Sequence, residues 1–413
     1  MNHPAFVEET SLSVQERIQN SLRGLAVLIT FGLLTTPSFA QSTGRLVVIG
    51  GALDPMNQTV FDAFLEGVTQ ESQVGVVPLA SGVPERSGPL TVQDIQQFAV
   101  NPSNVFDTNL TNKDPAYAKE QACADKLHGC QTIWFTGGDQ SRIVAAMRPD
   151  RQDTVSYQAT RDVLSGGGTI GGTSAGAAMM SDPMIRSGRS EDALLLGATE
   201  IIDGPGVCVG QGMGFFPYGI TDQHFLRRGR FGRLLIAVEA TEEAQFGFGV
   251  SENRALVVDL GDHWMRAVGD QAVTIIDSRS MTRQNHDRRD ARVHLLGDGD
   301  QFNGKSFELK PAPSRVALAT DRPDIGVPIR FADMWDRHVV AEMIKAVAAN
   351  PAQPALSQDA NFDYSLSADE RTRFYVGGEN AGLMAVNVRL DITARSGIEE
   401  RIAKRKGDKV VGD

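Results

Sequence analysis

Residues 166–178 read Gly-Gly-Gly-Thr-Ile-Gly-Gly-Thr-Ser-Ala-Gly-Ala-Ala, so that a short strand runs into a helix of small residues through a Gly-x-Ser-x-Gly pattern. This is the pattern of a nucleophile elbow, a sharp turn that exposes a serine hydroxyl. Only glycines fit beside such a strained serine, and the start of the following helix favours developing negative charge. The pattern therefore predicts that Ser174 is a nucleophile.

A glycine-rich turn that binds a phosphate at the start of a helix is the competing interpretation of the same residues. The segment lacks the Gly-Lys-Ser/Thr ending of a P-loop and the Gly-x-Gly-x-x-Gly fingerprint of dinucleotide sites. From this segment alone, a nucleophile and an anion site both stay open.

Short apolar runs alternate with amphipathic stretches around the elbow. The predicted strands cover residues 46–49, 74–79 and 132–135, and the predicted helices cover residues 61–68 and 139–147. Such alternation predicts an α/β fold with a mainly parallel central sheet flanked by helices. Ligand sites in such sheets lie at the carboxyl ends of the strands, where the elbow also lies.

The composition is that of an ordinary globular protein, with 413 residues of which 41% are hydrophobic and 22% charged. The formal net charge of -11 argues against nonspecific nucleic-acid binding, which needs an excess of Lys and Arg. An acidic surface suits a cationic ligand better. No cysteine and histidine pattern resembles a zinc site, and we expect neither a metal nor a cofactor.

Residues 1–40 have the features of a signal peptide. Arg17 and Arg23 precede the apolar run Leu25–Leu34, and small residues stand before a cleavage point after Ala40. The run of about 10 residues is shorter than the roughly 20 needed to span a bilayer. We therefore expect a secreted chain, extracellular or periplasmic, without a membrane segment. The alternative is an amphipathic start to the domain, because glutamates near the N-terminus are atypical of signal peptides.

Three cysteines follow the predicted cleavage point. Cys123 and Cys130 would pair across a short helix-to-strand turn in an oxidising compartment, which would leave Cys208 odd. Three unpaired cysteines are the equal alternative, because sequence spacing does not supply disulfide geometry.

The pattern changes after about residue 300, where prolines interrupt it. We therefore predict a catalytic domain over residues 41–305 and a C-terminal extension of unknown role over residues 306–413. Within the extension we expect a helix over 333–349 and a strand over 383–392. The tail over 401–413 is too polar to be expected to pack.

A nucleophilic serine needs a base and an orienting carboxylate. The candidate base is His224, which lies in an unusually polar segment, Thr-Asp-Gln-His-Phe-Leu-Arg-Arg-Gly-Arg-Phe-Gly-Arg. Glu252 follows an apolar run and precedes a predicted strand, so we expect it at the rim of the sheet. Asp222 is the rival orienting group. The remaining histidines after residue 40 are interpreted as solvated, and they are His128, His263, His286, His294 and His338.

Several segments together resemble the cyanophycinases, a branch of the serine peptidases that includes dipeptidase E. The resemblance covers roughly residues 45–300 in the right order, and the matching segments are residues 49–51, 135–140, 171–178, 222–233 and 249–252. It implies a flavodoxin-like sandwich of the class I glutamine amidotransferase type. It also implies that Ser174, His224 and Glu252 form the catalytic triad.

The chain order of these three residues discriminates between families. An α/β-hydrolase shares Gly-x-Ser-x-Gly but places its acid before its histidine. The order Ser, His, Glu therefore argues against a lipase or an esterase, unless Asp222 is the acid.

The resemblance further implies oxyanion donors at Gly138 and Ala175 and a set of substrate-binding residues. Cyanophycin is a poly-aspartate chain that bears an arginine on each side-chain carboxyl group, so its binding site must hold carboxylates and guanidinium groups. Arginine forks bind carboxylates through two hydrogen bonds, and acidic or amide side chains accept from guanidinium groups. The implied substrate-binding residues are Gln140, Asp222, Gln223, Arg228, Arg230 and Arg233.

Together with the predicted signal peptide, the resemblance implies a secreted cyanophycinase, an exo-type serine hydrolase that releases β-aspartyl-arginine dipeptides through an acyl-enzyme. One alternative is an aspartyl dipeptidase like dipeptidase E, which would share the triad. A second is a secreted polymer-binding protein without activity, and a solvated helix face is the alternative for the arginines alone. We also expect a homodimer, although no motif specifies its interface. The sequence leaves open whether the site tolerates lysine-containing polymer.

Overall fold

Runs of buried β-branched and apolar residues form the first five strands. The computed structural model describes residues 44–319, 326–377 and 382–410. The strands are β1 (Arg45–Ile49), β2 (Gln73–Val77), β3 (Val105–Asp107), β4 (Cys130–Phe135) and β5 (Thr169–Thr173). The helices between them are α1 (Gln58–Leu65), α2 (Pro84–Gln96), α3 (Gln121–His128), α4 (Gln140–Met147) and α5 (Val155–Ser165), with 3-10 turns at Pro102–Asn104, Pro115–Lys119 and Pro149–Arg151.

The middle of the chain supplies twelve further strands and three further helices. The strands are β6 (Met184–Ser187), β7 (Ala198–Thr199), β8 (Val207–Gly210), β9 (Ile220–Asp222), β10 (Phe246–Val250), β11 (Arg254–Asp259), β12 (Trp264–Gly269), β13 (Val273–Asp277), β14 (Thr282–Gln284), β15 (Asp287–Leu296), β16 (Gln301–Asn303) and β17 (Leu309–Lys310). The helices are α6 (Ala175–Ala178), α7 (Ser190–Leu196) and α8 (Phe231–Glu239).

The first sheet has the strand order β17-β16-β12-β11-β1-β5-β4-β2-β3. The five neighbouring strands β1, β5, β4, β2 and β3 are parallel to one another. The other four strands, β11, β12, β16 and β17, pair antiparallel. Alternate residues of β1 face opposite sides of the sheet, so Val47 packs with α1 while Leu46 packs with the core beneath α5. Helices thus cover both faces of the parallel half, and the predicted α/β fold is confirmed.

The second sheet is mostly antiparallel and was not predicted. It is completed by β18 (Arg315–Leu318), β19 (Ile329–Phe331), β20 (Ala355–Gln358), β21 (Phe362–Ser367), β22 (Arg373–Gly377) and β23 (Leu383–Ala394). Its main order is β19-β20-β21-β23-β15-β13-β10-β9, with β14 added to β15 and the pair β18-β22 added to β23. Helices α9 (Val339–Ala349) and α10 (Ile398–Val410) follow β19 and β23. A small third sheet has the order β6-β8-β7.

After β17, which lies at the edge of the first sheet, the strands that follow residue 305 extend the second sheet. Strand β23 pairs with β15 and with β21, and apolar side chains of α9 pack in the same core as those of α8. The described residues belong to one compact unit that begins at Gln41. The boundary that we placed near residue 305 stays a prediction. The predicted signal peptide, residues 1–40, lies outside the described residues.

Three sequence predictions are corrected. Helix α9 begins at Val339, not at residue 333, because Trp335 and its neighbours lie in a turn that Asp333 closes through its carboxylate. The polar tail is helical through residue 410 and Ile402 packs against the second core, whereas residues 403–407 are exposed. His294 is buried, not solvated, and its Nδ1 accepts a hydrogen bond from Asn387 N. In the described part of the chain, no helix is both long and apolar enough to cross a membrane.

Candidate active site

The elbow serine stands between a strand and a helix, as the glycine pattern requires. Ser174 follows β5 and precedes α6 with backbone angles φ 55° and ψ -109°, a left-handed conformation that costs a non-glycine residue energy. A Cβ on Gly176 would lie 2.3 Å from Phe135 O, and one on Gly172 would lie 2.3 Å from Gly176 O. Glycines at these positions let the helix pack directly on the strand backbone, which fixes the turn.

His224 reaches the serine because strand ends converge at the same edge. It follows β9 with φ 49°, and its amide donates to Gly50 O, the residue after β1, at 2.6 Å. Gly51 has φ 98°, and a Cβ there would lie 2.4 Å from ring atoms of His224. The imidazole therefore occupies the space that a side chain at residue 51 would fill.

Ser174, His224 and Glu252 form one hydrogen-bonded chain. Ser174 Oγ lies 2.9 Å from His224 Nε2, and His224 Nδ1 lies 2.6 Å from Glu252 Oε1. Strands β9 and β10 are parallel neighbours, so their carboxyl ends bring the histidine and the glutamate together. The structure thus brings together the three residues predicted for the triad.

The environment of His224 favours its neutral form. Burial is the main cause that lowers its pKa below the ordinary value. The hydrogen bond to Glu252 opposes this shift, whereas the charges of Arg228 and Arg230 add to it. A neutral imidazole can accept the serine proton, as a general base must.

The predicted oxyanion donors border the serine. Gly138 has φ 143°, and a Cβ there would lie 2.0 Å from Ala80 O, so only glycine fits. A Cβ on its neighbour Gly137 would lie 3.3 Å from Ser174 Cβ. Within the described residues, the amides of Gly138 and Ala175 donate no backbone hydrogen bond. Both are therefore free to donate to an oxyanion.

Asp222 contacts Arg233 and not the catalytic histidine. Its Oδ2 accepts from Arg233 Nε at 2.7 Å, and its Oδ1 accepts from Arg233 Nη2 at 2.5 Å. Oδ1 also accepts from the amide of Gln223 at 2.8 Å. Asp222 is 1% exposed, so the rival orienting carboxylate is committed to this buried pair.

The other predicted substrate-binding residues differ in whether their polar atoms remain free to bind a ligand. Gln140 is buried, and its amide donates to Ile185 O at 2.8 Å. Gln223 is also buried, and its Oε1 has no partner among the described residues. Arg230 donates to Gln223 O at 2.7 Å, and burial lowers the pKa of Arg230 to about 10. Arg228 is exposed.

A cavity of about 280 Å³ opens beside Ser174 and His224, on the side of the sheet that α1 and α2 cover. Its walls include residues that the sequence analysis did not select, namely Ala52, Leu53, Phe61, Thr91, Asp94, Trp134, Gly137 and Thr173. Trp134 stands directly before the matched segment 135–140, so its position at the end of β4 was a usable signal. Nothing in the sequence marked Asp94.

The cysteines lie apart from this chemistry. Cys123, Cys130 and Cys208 are free and buried, so the structure contains the unpaired alternative and no Cys123–Cys130 disulfide. Burial raises the pKa of Cys130 to about 12 and raises the pKa of the other two thiols. Among the described residues, no group of three His, Cys, Asp or Glu side chains has the arrangement of a metal site.

Comparison with known proteins identifies the family. A cyanophycinase from Geminocystis herdmanii is 30% identical over 276 residues, which cover 64% of this chain and 94% of that protein. The chain belongs to the cyanophycinase family. Cyanophycinases from Synechococcus elongatus and Nostoc sp. are 29% identical over 287 residues and 28% identical over 296 residues, covering 84% and 93% of those proteins. No protein-family model matches the chain.

The solved structures that are similar to this member of the cyanophycinase family are more distant. A peptidase from an acI-B1 Actinobacterium matches with a TM-score of 0.43 and 16% identity, over 64% of this chain and 98% of that one. A putative peptidase E protein from Listeria monocytogenes matches with a TM-score of 0.34 and 16% identity, over 52% and 94%.

Proposed function

We propose that this member of the cyanophycinase family is a serine-type peptidase that hydrolyses cyanophycin. The observation that carries the proposal is the chain of contacts from Ser174 Oγ to His224 Nε2 and from His224 Nδ1 to Glu252 Oε1. A strained serine, a base within 2.9 Å and an orienting carboxylate are the parts of an activated nucleophile. Family membership supports cyanophycin as the substrate.

The proposed reaction passes through an acyl-enzyme. Ser174 Oγ attacks the carbonyl carbon of an α-peptide bond between backbone aspartates, and His224 Nε2 takes its proton. The amides of Gly138 and Ala175 donate to the oxyanion, and the imidazolium, steadied by Glu252, protonates the leaving amine. Water, deprotonated by His224, then attacks the ester, and the proton returns to Ser174.

We propose exo-type cleavage with β-aspartyl-arginine dipeptides as the products. Arg228 and Arg230 supply guanidinium groups to carboxylates of the polymer, and the free Oε1 of Gln223 supplies an acceptor. Asp222 and Arg233 are buried and paired with each other, so we assign them a supporting role and not direct contact with the polymer. We further propose that the chain is secreted after cleavage at Ala40 and acts as a homodimer.

The test is incubation of the purified chain with cyanophycin, followed by identification of products by mass. We expect dipeptides of aspartate and arginine, with α-aspartyl dipeptides cleaved poorly as competing substrates. The variant Ser174→Ala should bind the polymer and release no dipeptide. Dipeptide release by that variant would overturn the assignment of the nucleophile. If the chain instead prefers α-aspartyl dipeptides, its substrate is a small peptide and not the polymer.

A further inference from the structure

The cavity beside the nucleophile is lined by His224 but by none of the arginines of segment 222–233. Ser174 and His224 form one wall of it, and Asp94 of α2 and Trp134 at the end of β4 form another. Any group that fills this cavity lies next to the scissile bond. Its walls therefore select which side chain the substrate carries at that point.

Trp134 brings a buried aromatic ring to the cavity wall. Its side chain is 2% exposed, with the ring stacked on Phe61 at 5.8 Å between centroids and edge-on to Phe64 at 4.7 Å. Its Nε1–H has no partner among the described residues. A buried indole N–H usually has a partner, and leaving one unpaired costs free energy. Because the nitrogen itself has almost no accessible surface, Trp134 contributes its aromatic ring to the cavity wall.

Asp94 brings an unused acceptor to the same cavity. It is half-buried, and its side chain forms no hydrogen bond or ion pair with the described residues. Burial raises the pKa of its carboxyl group, because no neighbouring cation compensates the lost hydration. A cationic ligand would supply that compensation. A guanidinium group fits best, since it binds a carboxylate through two hydrogen bonds and lies favourably against aromatic rings.

The buried pair of Asp222 and Arg233, at the two ends of the arginine-rich segment, strengthens this assignment. A polymer that bears arginine needs a carboxylate to receive its guanidinium groups. Both oxygens of Asp222 already accept from Arg233, so that carboxylate is occupied. Asp94 is a carboxylate at the nucleophile whose oxygens are not engaged in this way.

We propose that this cavity binds the arginine group attached to one residue of the polymer, with its guanidinium on Asp94 and its aliphatic chain against the ring of Trp134. The proposal rests on the proposed function. It names Asp94 as a specificity residue that requires a guanidinium beside the scissile bond. Ordinary aspartyl dipeptides, which lack this group, leave the cavity without its ion pair.

The test compares two synthetic substrates, short β-aspartyl-arginine oligomers and the same oligomers with neutral citrulline in place of arginine. The wild-type chain should prefer the arginine substrate by roughly 10- to 100-fold in kcat/KM, the usual effect of one charge-assisted hydrogen-bonded pair. Asp94→Asn should remove most of this preference, chiefly by raising KM for the arginine substrate. Asp94→Glu should keep part of the preference for the arginine substrate. Trp134→Phe should lower kcat/KM for both substrates to a similar extent.

Matched controls separate the possible failures. Glu85→Gln removes an exposed carboxylate from the same helix and should leave the preference unchanged. Labelling of Ser174 by a small serine-reactive phosphonate reports an intact site in every variant.

If the wild-type chain cleaves neither oligomer, the proposed function fails. If it cleaves the arginine oligomer and Asp94→Asn, still labelled normally, keeps the full preference, this inference is overturned. Should Asp94→Asn not fold, an unchanged preference in Asp94→Glu together with unchanged kinetics in Trp134→Phe would overturn it equally.

Discussion

His224 Nδ1 lies 2.6 Å from Glu252 Oε1, although 28 residues separate the two in sequence. The contact fixes which ring nitrogen faces Ser174 and supplies a negative charge for the imidazolium that forms during acyl transfer. The same carboxylate approaches Arg227 through its other oxygen, at 4.0 Å. Glu252 therefore connects the catalytic base to the exposed arginines of segment 222–233.

Replacing Glu252 by Gln should lower kcat by about 10³-fold or more, because the amide no longer stabilises the imidazolium. KM should change little. The measurement is the steady-state rate of dipeptide release, with Asp222→Asn as the comparison. A loss of less than about 10-fold in Glu252→Gln would show that another group orients His224.

The pH dependence should follow the neutral form of His224. Because burial lowers its pKa, activity should fall on the acid side only below the ordinary histidine value of about 6.5. The charge of Arg228 also lowers this pKa, so Arg228→Gln should raise it and move the acid limb to higher pH. The rate of phosphonate labelling against pH measures this without substrate binding. A move to lower pH would contradict the sign of the interaction.

Gly51→Ala should inactivate the site, because its Cβ would lie 2.4 Å from the imidazole ring of His224. The left-handed backbone also costs about 1–2 kcal/mol for a residue with a Cβ. Gly67→Ala is the matched control, since Gly67 has φ 83° with nothing within 4 Å of its added Cβ. Thermal unfolding should show a loss in both variants. Only Gly51→Ala should also lose phosphonate labelling, and labelling at the wild-type rate would refute the steric argument.

The buried pair of Asp222 and Arg233 should contribute to stability more than to substrate contact. Arg233→Met leaves Asp222 buried without its main partner and should cost about 3–5 kcal/mol in urea unfolding. Adding Asp222→Asn to that variant should restore part of the loss. A large rise in KM without any loss of stability in Arg233→Met would instead indicate direct contact with the substrate.

Truncation after residue 305 should give an insoluble chain. It removes β23, the antiparallel partner of β15, and exposes the apolar side chains Val293 and Leu295. Truncation after Ser396 removes only α10 and should lower the melting temperature while leaving soluble protein. Soluble expression and thermal unfolding distinguish the two. A soluble, cooperatively unfolding chain that ends at residue 305 would identify 41–305 as an independent domain.

The parallel half of the first sheet was predictable because its strands are buried on both faces. Such strands are continuous apolar runs, and β1, β2 and β4 lie within about two residues of their predicted bounds. The second sheet was not predictable from local pattern, since its pairs join distant segments. The strand at residues 383–392 was predicted correctly, yet nothing in its sequence indicated that β15 is its neighbour.

The residues of the candidate active site also divide into those that the local sequence indicated and those that only the fold brings together. The elbow glycines mark Ser174 through local geometry, whereas the choice between Glu252 and Asp222 depends on which carboxylate the parallel ends of β9 and β10 bring to His224. Asp94 lies on a helix whose sequence is that of an ordinary solvated helix. Its position at the cavity follows only from how α2 packs on the sheet.

The pairing of β15 with β23 also sets an order of events during synthesis. Strand β15 ends at Leu296 and β23 begins at Leu383, so the growing chain carries a long unpaired edge while the residues between them are made. Strands β9 and β10, which end beside His224 and Glu252, belong to that same sheet. The sheet that supports the base and the acid is therefore complete only after residue 394 has been translated, so its assembly waits for a contact between segments that are far apart in sequence.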